Sequence, residues 1–322
     1  MNESETRAIV TVSLLAAFAD GSKHERERAE IKRIAEGLSQ ADGVRLPTLY
    51  QDVLMKRVTL GSVLPALTSE DARQLAYEMA VCVCDADGAQ SDAERAFLAE
   101  LSRALQLDAA AAGGFQQQAE AMASAPLAIE LLPPAAAAGA PASAKPVVDE
   151  AALDKSILDA AILNGALELL PETLSTMAII PLQMRLVYRI GQAYGYPLDS
   201  DHVKDFLAAA GVGLTSQYLE QAGRKLIGGL LGRVGGGLLG GLGRQAVSSG
   251  MSFAATYALG HVARRYYAGG RVLSAQMLKE AYAGMTREAQ GLQQQYLPQM
   301  REKARTLDAA KVMAMVRGGQ AA

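Results

Sequence analysis

The sequence predicts an all-α protein. It reads as an N-terminal helical bundle with an internal pseudo-two-fold repeat, a flexible Ala/Pro linker, and a C-terminal helical domain with a glycine-zipper hairpin. Three observations carry this. The apolar share is 50%, yet aromatics make up 5% and Trp is absent. Ala, Leu and Gly therefore supply the core, a mix that suits closely packed helices better than sheets, because Ala and Leu are strong helix formers and β-branched residues are sparse. Apolar residues recur at helical spacing through most of the chain. Finally, two stretches sixty-seven residues apart are near copies: Ala19-Asp20-Gly21 with Glu27-Arg28-Ala29, and Ala86-Asp87-Gly88 with Glu94-Arg95-Ala96. A repeat inside one domain implies two similar helix–turn–helix units related by an approximate two-fold axis.

Residues 1–108 form the first domain. Helical periodicity covers Thr6–Ala19, Ser22–Leu38, Leu46–Arg57, Ser69–Cys84 and Ser91–Leu105. Ser22-Lys23-His24-Glu25 and Ser91-Asp92-Ala93-Glu94 each fit a capping box, in which a hydroxyl and a carboxylate satisfy the first backbone donors of a helix. Residues 109–150, with Gly113-Gly114, Pro133-Pro134, an alanine run and Pro141 to Pro146, read as a low-complexity linker. Residues 151–322 form the second domain, with helices over Ser156–Leu170, Leu182–Tyr194 and Ser200–Ala210. Gly195 and Gly211 act as stop signals.

Leu226–Gly243 is almost wholly Leu and Gly, and Gly228, Gly232, Gly236 and Gly240 recur every fourth residue on one helix face. Bare glycine faces let a second backbone come close, so this helix needs a partner or lipid. The expected partner is Gln245–Ala263, a run without Lys, Arg, Asp or Glu. As a helix it would span about 28 Å, near the roughly 30 Å hydrocarbon core of a bilayer. Arg264-Arg265-Tyr266-Tyr267 follows it like an interfacial anchor. Against insertion stand Ser248, Ser249, Ser252, Thr256 and His261, and Arg233 inside the first helix.

Charge is segregated. Residues 1–108 hold twelve Lys/Arg against eighteen Asp/Glu, and residues 151–322 hold eighteen against twelve. From Gln221 to Lys279 there is no acidic residue but eight basic ones. Basic groups beside apolar helices attract anionic lipid. The same cations are spread along apolar helices rather than along a polar groove, so nucleic acid is not an expected partner.

The two Ala-Asp-Gly turns admit two readings. Asp20, Glu27, Asp87 and Glu94, with Asp85, offer carboxylate oxygens suited to a hard divalent cation such as Ca²⁺, Mg²⁺ or Mn²⁺. Alternatively Asp-Gly is simply a good turn after a helix, and the later Glu sits favourably at a helix start. A calcium EF-hand is excluded, because counting from Asp85 its Gly and Glu positions hold Gln90 and Ala96. Cys82 and Cys84 point to different helix faces and cannot bridge each other. His24, His202 and His261 are isolated, and no GxSxG, HExxH or Cys-His pattern occurs. Gly235-Gly236-Gly237-Leu238-Leu239-Gly240 formally matches GxGxxG, but no strand precedes it and no P-loop Lys follows. The protein is expected not to be an enzyme, the least favoured alternative being a metal-dependent hydrolase.

The paired Ala-Asp-Gly and Glu-Arg-Ala units of residues 6–107 resemble the TerB family linked to bacterial tellurite resistance. That resemblance implies an all-helical domain whose acidic residues near the two turns, here Asp20, Glu27, Asp87 and Glu94, hold metal. Phe18 stands at the place equivalent to Asp85, so the two halves are unequally acidic. Residues 155–300 resemble a helical domain found alone or beside bacterial GTPases and in YcjF-type membrane proteins. Ile180-Pro181-Leu182-Gln183-Met184-Arg185, Phe206 to Gly213, the Gly-Leu block and Tyr257-Ala258-Leu259-Gly260-His261 carry it. It implies membrane or GTPase association rather than catalysis. The expected role is a membrane-associated stress-response protein, and the alternative is a soluble adaptor of a GTPase. The expected partners are an anionic membrane surface, a GTPase or other protein, and a second copy through the zipper. The acidic N-terminus lacks a secretory pattern, so the cytosol, with access to the inner membrane, is the expected compartment.

Overall fold

The structure, a computed structural model, describes residues 2–20, 46–86, 90–125, 127, 148–170, 175, 177–212 and 250–316. Every regular element among them is a helix. They divide into two compact units, one within residues 2–124 and one formed by 125–212 and 250–316.

The first unit contains α1 (Glu3–Ala17), α2 (Leu46–Leu54), α3 (Leu60–Val63, continued by a 3-10 turn), α4 (Glu70–Cys84), α5 (Asp92–Ala104) and α6 (Ala109–Ala123). Helices α1 and α4 pack against each other; α2 and α3 lie on α1, while α5 and α6 lie on α4. Ile9, Val12 and Ala16 of α1 and Ala76, Ala80 and Val81 of α4 are all fully buried. Alanines here let two helices approach closely without a cavity. Shifted by sixty-seven residues, the bounds of α1 become those of α4. The repeat is therefore a pair of apposed helices, each opened by a side-chain cap from Asn2 and Ser69.

The same shift carries α2 into α6. This corrects the linker expected from residue 109. Asp108 caps α6 through its carboxylate, which accepts from Ala111 N at 2.8 Å, and Ala112, Ala119 and Met122 are buried in the unit. Small residues that lower the hydropathy of a segment are here contact residues. The helix expected over Ser22–Leu38 and the Pro-rich residues 128–147 lie outside the described residues.

The second unit contains α7 (Glu150–Glu168), α8 (Ile179–Ala193), α9 (Ser200–Ala209), α10 (Gly250–Ala268), α11 (Ala275–Thr306) and α12 (Ala309–Val316). Helix α10 is its hub, packed against α11, α7 and α8. Phe253, Ala254, Ala258, Leu259, Val262 and Ala263 are buried. The glycine-zipper helix expected beside it, with Gly228, Gly232, Gly236 and Gly240, lies outside the described residues. Among the described residues α10 packs most extensively on α7, α8 and α11, and the close approach is made by other glycines. A Cβ on Gly260 would sit 2.6 Å from Ile157 Cγ2 of α7, and one on Gly165 would collide with Met300 Sδ and come within 3.1 Å of Phe253 Cβ.

No helix among the described residues is long and apolar enough to cross a membrane. The polar residues of α10 that lower its hydropathy cross-link the unit instead. Asn164 Nδ2 of α7 and Gln183 Nε2 of α8 both donate to buried Thr256 Oγ1, at 2.9 and 3.0 Å. Ser252 N donates to Glu168 Oε2 at 2.9 Å. Buried polar groups so paired fix helix register, because any slip strands them without partners.

Candidate functional site

The acidic turn of the first unit is built by the end of α4 and the start of α5. Helix α4 stops at Cys84, and Asp85 is its C-cap. Asp85 is buried, and its Oδ1 accepts from Gln90 Nε2 at 2.9 Å. Gln90 Oε1 accepts in turn from Gln116 Nε2 of α6 at 3.2 Å, and Gln116 Oε1 from the Tyr77 hydroxyl at 3.2 Å. An amide relay thus runs from the turn into α6. Burial, with Asp85 and Cys84 nearby, pushes the Tyr77 hydroxyl above its ordinary pKa, so it stays a donor.

Glu94 is the third residue of α5 and closes the capping box read from the sequence. Its Oε2 accepts from Ser91 N at 2.8 Å and Ser91 Oγ at 2.9 Å, while Glu94 N donates back to Ser91 Oγ at 3.2 Å. Asp20 lies in the turn that follows α1. Glu27 and Asp87 lie outside the described residues. Among the described residues no three His, Cys, Asp or Glu side chains gather closely enough to hold an ion. Asp85 and Glu94 each accept hydrogen bonds from residues of the segment that joins α4 to α5. Cys82 and Cys84 are both buried and are not joined in a disulfide, as their spacing required.

Glu5 was not singled out by the sequence, although Asn2 three residues earlier marks it as a capping-box partner. Its Oε2 accepts from Asn2 N at 2.9 Å. Its Oε1 accepts from Thr68 Oγ1 and Ser69 N, both at 2.8 Å. One carboxylate therefore clamps the starts of α1 and α4, the two repeat-related helices. These donors, Asn2 first and then Ser69, hold its pKa down from 4.5 to about 2.

In the second unit, the Arg264-Arg265 pair divides. Arg264 is ion-paired to Asp154 and lies 3.5 Å from Glu150 Oε2, both on α7. Glu150 Oε1 accepts from the Tyr194 hydroxyl at 2.7 Å, and burial followed by this bond pushes the Tyr194 pKa up to about 12. His261 Nδ1 lies 3.8 Å from Asp154 Oδ1, with its ring 4.3 Å from that of Tyr257. Burial, then Arg264, pushes the imidazole below its ordinary value of 6.5. Arg265, by contrast, is exposed. Arg264 is thus a packing residue and Arg265 is left to face outward.

Beyond α10 the chain turns through Gly270 at φ 80° and Arg271 at φ 65°. A left-handed non-glycine residue is uncommon, and aromatic contacts hold this one in place. The Arg271 guanidinium lies 5.8 Å from the centre of the Tyr196 ring, which is 5.4 Å from Tyr267. Phe206 packs on Tyr266 and Tyr267 at 5.3 and 6.0 Å. The α8–α9 loop and the α10–α11 turn therefore form one aromatic end.

Residues 1–119 match the model of a family described as a protein of unknown function (DUF533), a family often described as TerB-like. No curated protein and no solved structure matches the chain. The matched span holds α1 to α5 and most of α6, so the N-terminal third of this protein, including both Ala-Asp-Gly turns, is similar to that family.

Proposed function

We propose that the protein is a non-enzymatic, peripherally membrane-associated protein of a bacterial stress response of the tellurite, metal or envelope kind. Its acidic helical unit binds a divalent cation or a protein partner, and its basic unit meets the membrane. One observation carries the membrane part of this reading. Arg265, Arg271 and Lys279 are exposed within one helix end, turn and helix start. Among the described residues no carboxylate pairs with any of them. Unpaired cations clustered on one end attract an anionic surface at about 1 kcal/mol per charge. The reading is peripheral because α10 spends its apolar face inside the unit.

Fractionation of cells expressing the full chain tests this. Recovery with membranes and release by high salt support the reading, since peripheral electrostatic binding is screened. Recovery wholly in the soluble fraction, with no response to vesicles containing phosphatidylglycerol, overturns it. The cation part rests on the repeat and on the TerB resemblance. Calorimetry with Ca²⁺, Mg²⁺ and Mn²⁺ tests it, and identical null heats for wild type and Asp87→Ala remove it.

A further inference from the structure

We infer that the α10–α11 turn is the element that seats on an anionic phospholipid bilayer, with Val272 and Met277 entering the interface and Arg265 and Lys279 meeting lipid phosphates. This rests on the membrane reading above and names the surface that performs it. Val272 is 78% exposed and Met277 49% exposed, two of the four large apolar side chains the described residues leave to solvent. They lie five residues apart across the start of α11. Val272 follows two successive residues at positive φ, Gly270 and Arg271. Three backbone bonds lock that turn: Gly269 N to Arg265 O, Gly270 N to Tyr267 O and Arg271 N to Tyr266 O, at 3.1, 3.1 and 2.9 Å.

The turn is therefore a stiff wedge. Arg271 is fixed over Tyr196, and its charge is raised in basicity by Tyr266. Behind it stand the half-buried Tyr196 and Tyr266, amphipathic rings of the kind that settle at headgroup depth, seated on the buried Tyr267. Lys279 lays its stem along Gly211, 3.3 Å from where a Cβ would be, and is exposed. The nearest acidic residue in sequence, Glu280, accepts from Gln276 Nε2 at 2.7 Å. Asp199, on the neighbouring loop, accepts from His202 N at 2.9 Å and lies 2.7 Å from its Nδ1. An aliphatic tip, an aromatic collar and exposed cations complement an anionic bilayer: tails for the tip, the headgroup layer for the rings, phosphates for the charges.

The test is co-sedimentation of the full chain with phosphatidylcholine vesicles, with and without phosphatidylglycerol. Wild type is expected to pellet only with the anionic vesicles. Val272→Asp combined with Met277→Asp is expected to weaken that binding at least tenfold, since each side chain loses its transfer to an apolar environment. Arg265→Gln is expected to weaken it about fivefold. Leu54→Asp with Met55→Asp, the exposed apolar pair of the first unit, is expected to leave it unchanged. Far-UV circular dichroism checks each variant, and Val272→Ser replaces any that loses helicity. Anionic vesicles that bind wild type and the Val272/Met277 variant equally overturn this inference and leave membrane association standing. Wild type that binds neither vesicle overturns both. Self-association in wild type that the Val272/Met277 variant abolishes, with vesicle binding unaltered, assigns the tip to a second copy and also overturns the inference.

Discussion

In the first unit two buried carboxylates, Glu5 and Glu94, sit at helix starts and a third, Asp85, ends α4, whereas in the second the buried charge is the Arg185 guanidinium, facing carbonyls at a helix end. Glu5 and Glu94 satisfy backbone donors at the N-termini of α1, α4 and α5. Arg185 of α8 is buried and donates to the carbonyls of Met315 and Val316, which end α12. Both arrangements place a charge where the helix dipole favours its sign. The difference lies in what remains. The acidic unit spends Glu5 and Glu94 on its own caps and leaves Glu70, Asp71 and Glu100 exposed. The basic unit spends Arg185 and Arg264 inward and leaves Arg265, Arg271 and Lys279 outward. Net charge alone does not say which groups are available to a partner; the hydrogen-bond ledger does.

The largest effect that would test this contrast comes from Arg185. Arg185→Met removes the donors to the two carbonyls that end α12 and should destabilise the second unit by about 3 kcal/mol, read as an early transition in chemical denaturation. If α12 shows unchanged hydrogen-exchange protection in this variant, the guanidinium is not its cap. Next is Gly260→Ala, whose methyl would press on Ile157. It should cost about 2 kcal/mol in the second unit and nothing in the first. Neutral behaviour would mean that the α7–α10 crossing is looser than 2.6 Å implies.

Glu5→Gln should cost about 1–2 kcal/mol at neutral pH, and its pH dependence sharpens the comparison. The folded pKa of Glu5 is about 2 against 4.5 for the free group. Its contribution is therefore complete above 4.5 and fades as pH falls towards 2. The gap between wild type and Glu5→Gln in thermal melts should close over that window. His261 works at higher pH. Its folded pKa lies below 6.5, so the unfolded chain binds the proton more readily, and stability falls as pH drops below 6.5. Acidification should thus loosen the second unit before the clamp in the first, and His261→Gln should flatten the earlier loss. The smallest change is Ser91→Ala, about 1 kcal/mol from the lost cap of α5, checked by the same melts at neutral pH.

Much of the first unit was legible in the repeat, because a sequence offset maps one helix onto its equivalent. The same offset places α6, yet the Ala and Gly content of 109–123 argued for a linker. Composition counts apolar mass, whereas α6 is held through buried Ala112, Ala119 and Met122 and through Gln116, which no hydropathy pattern registers. In the candidate site, the Ser91–Glu94 box was readable from spacing alone, since capping is local. Glu5 was missed because two of its three donors, Thr68 and Ser69, are more than sixty residues away.

By itself the sequence determined the helical class, the duplicated pair α1 and α4, the stop after α8 and the sign of each half. Each follows from short-range preference, periodicity or simple counting. The tertiary structure alone decided that Gly165 and Gly260 make the tight crossings of the second unit, that Thr256 is a buried cross-link rather than a polar flaw in a membrane span, and that Arg264 turns inward while Arg265 does not. Adjacent residues on a helix point about 100° apart. Which of two neighbouring arginines meets Asp154 depends on how α10 is rotated against α7, and that rotation is set by packing between segments a hundred residues apart.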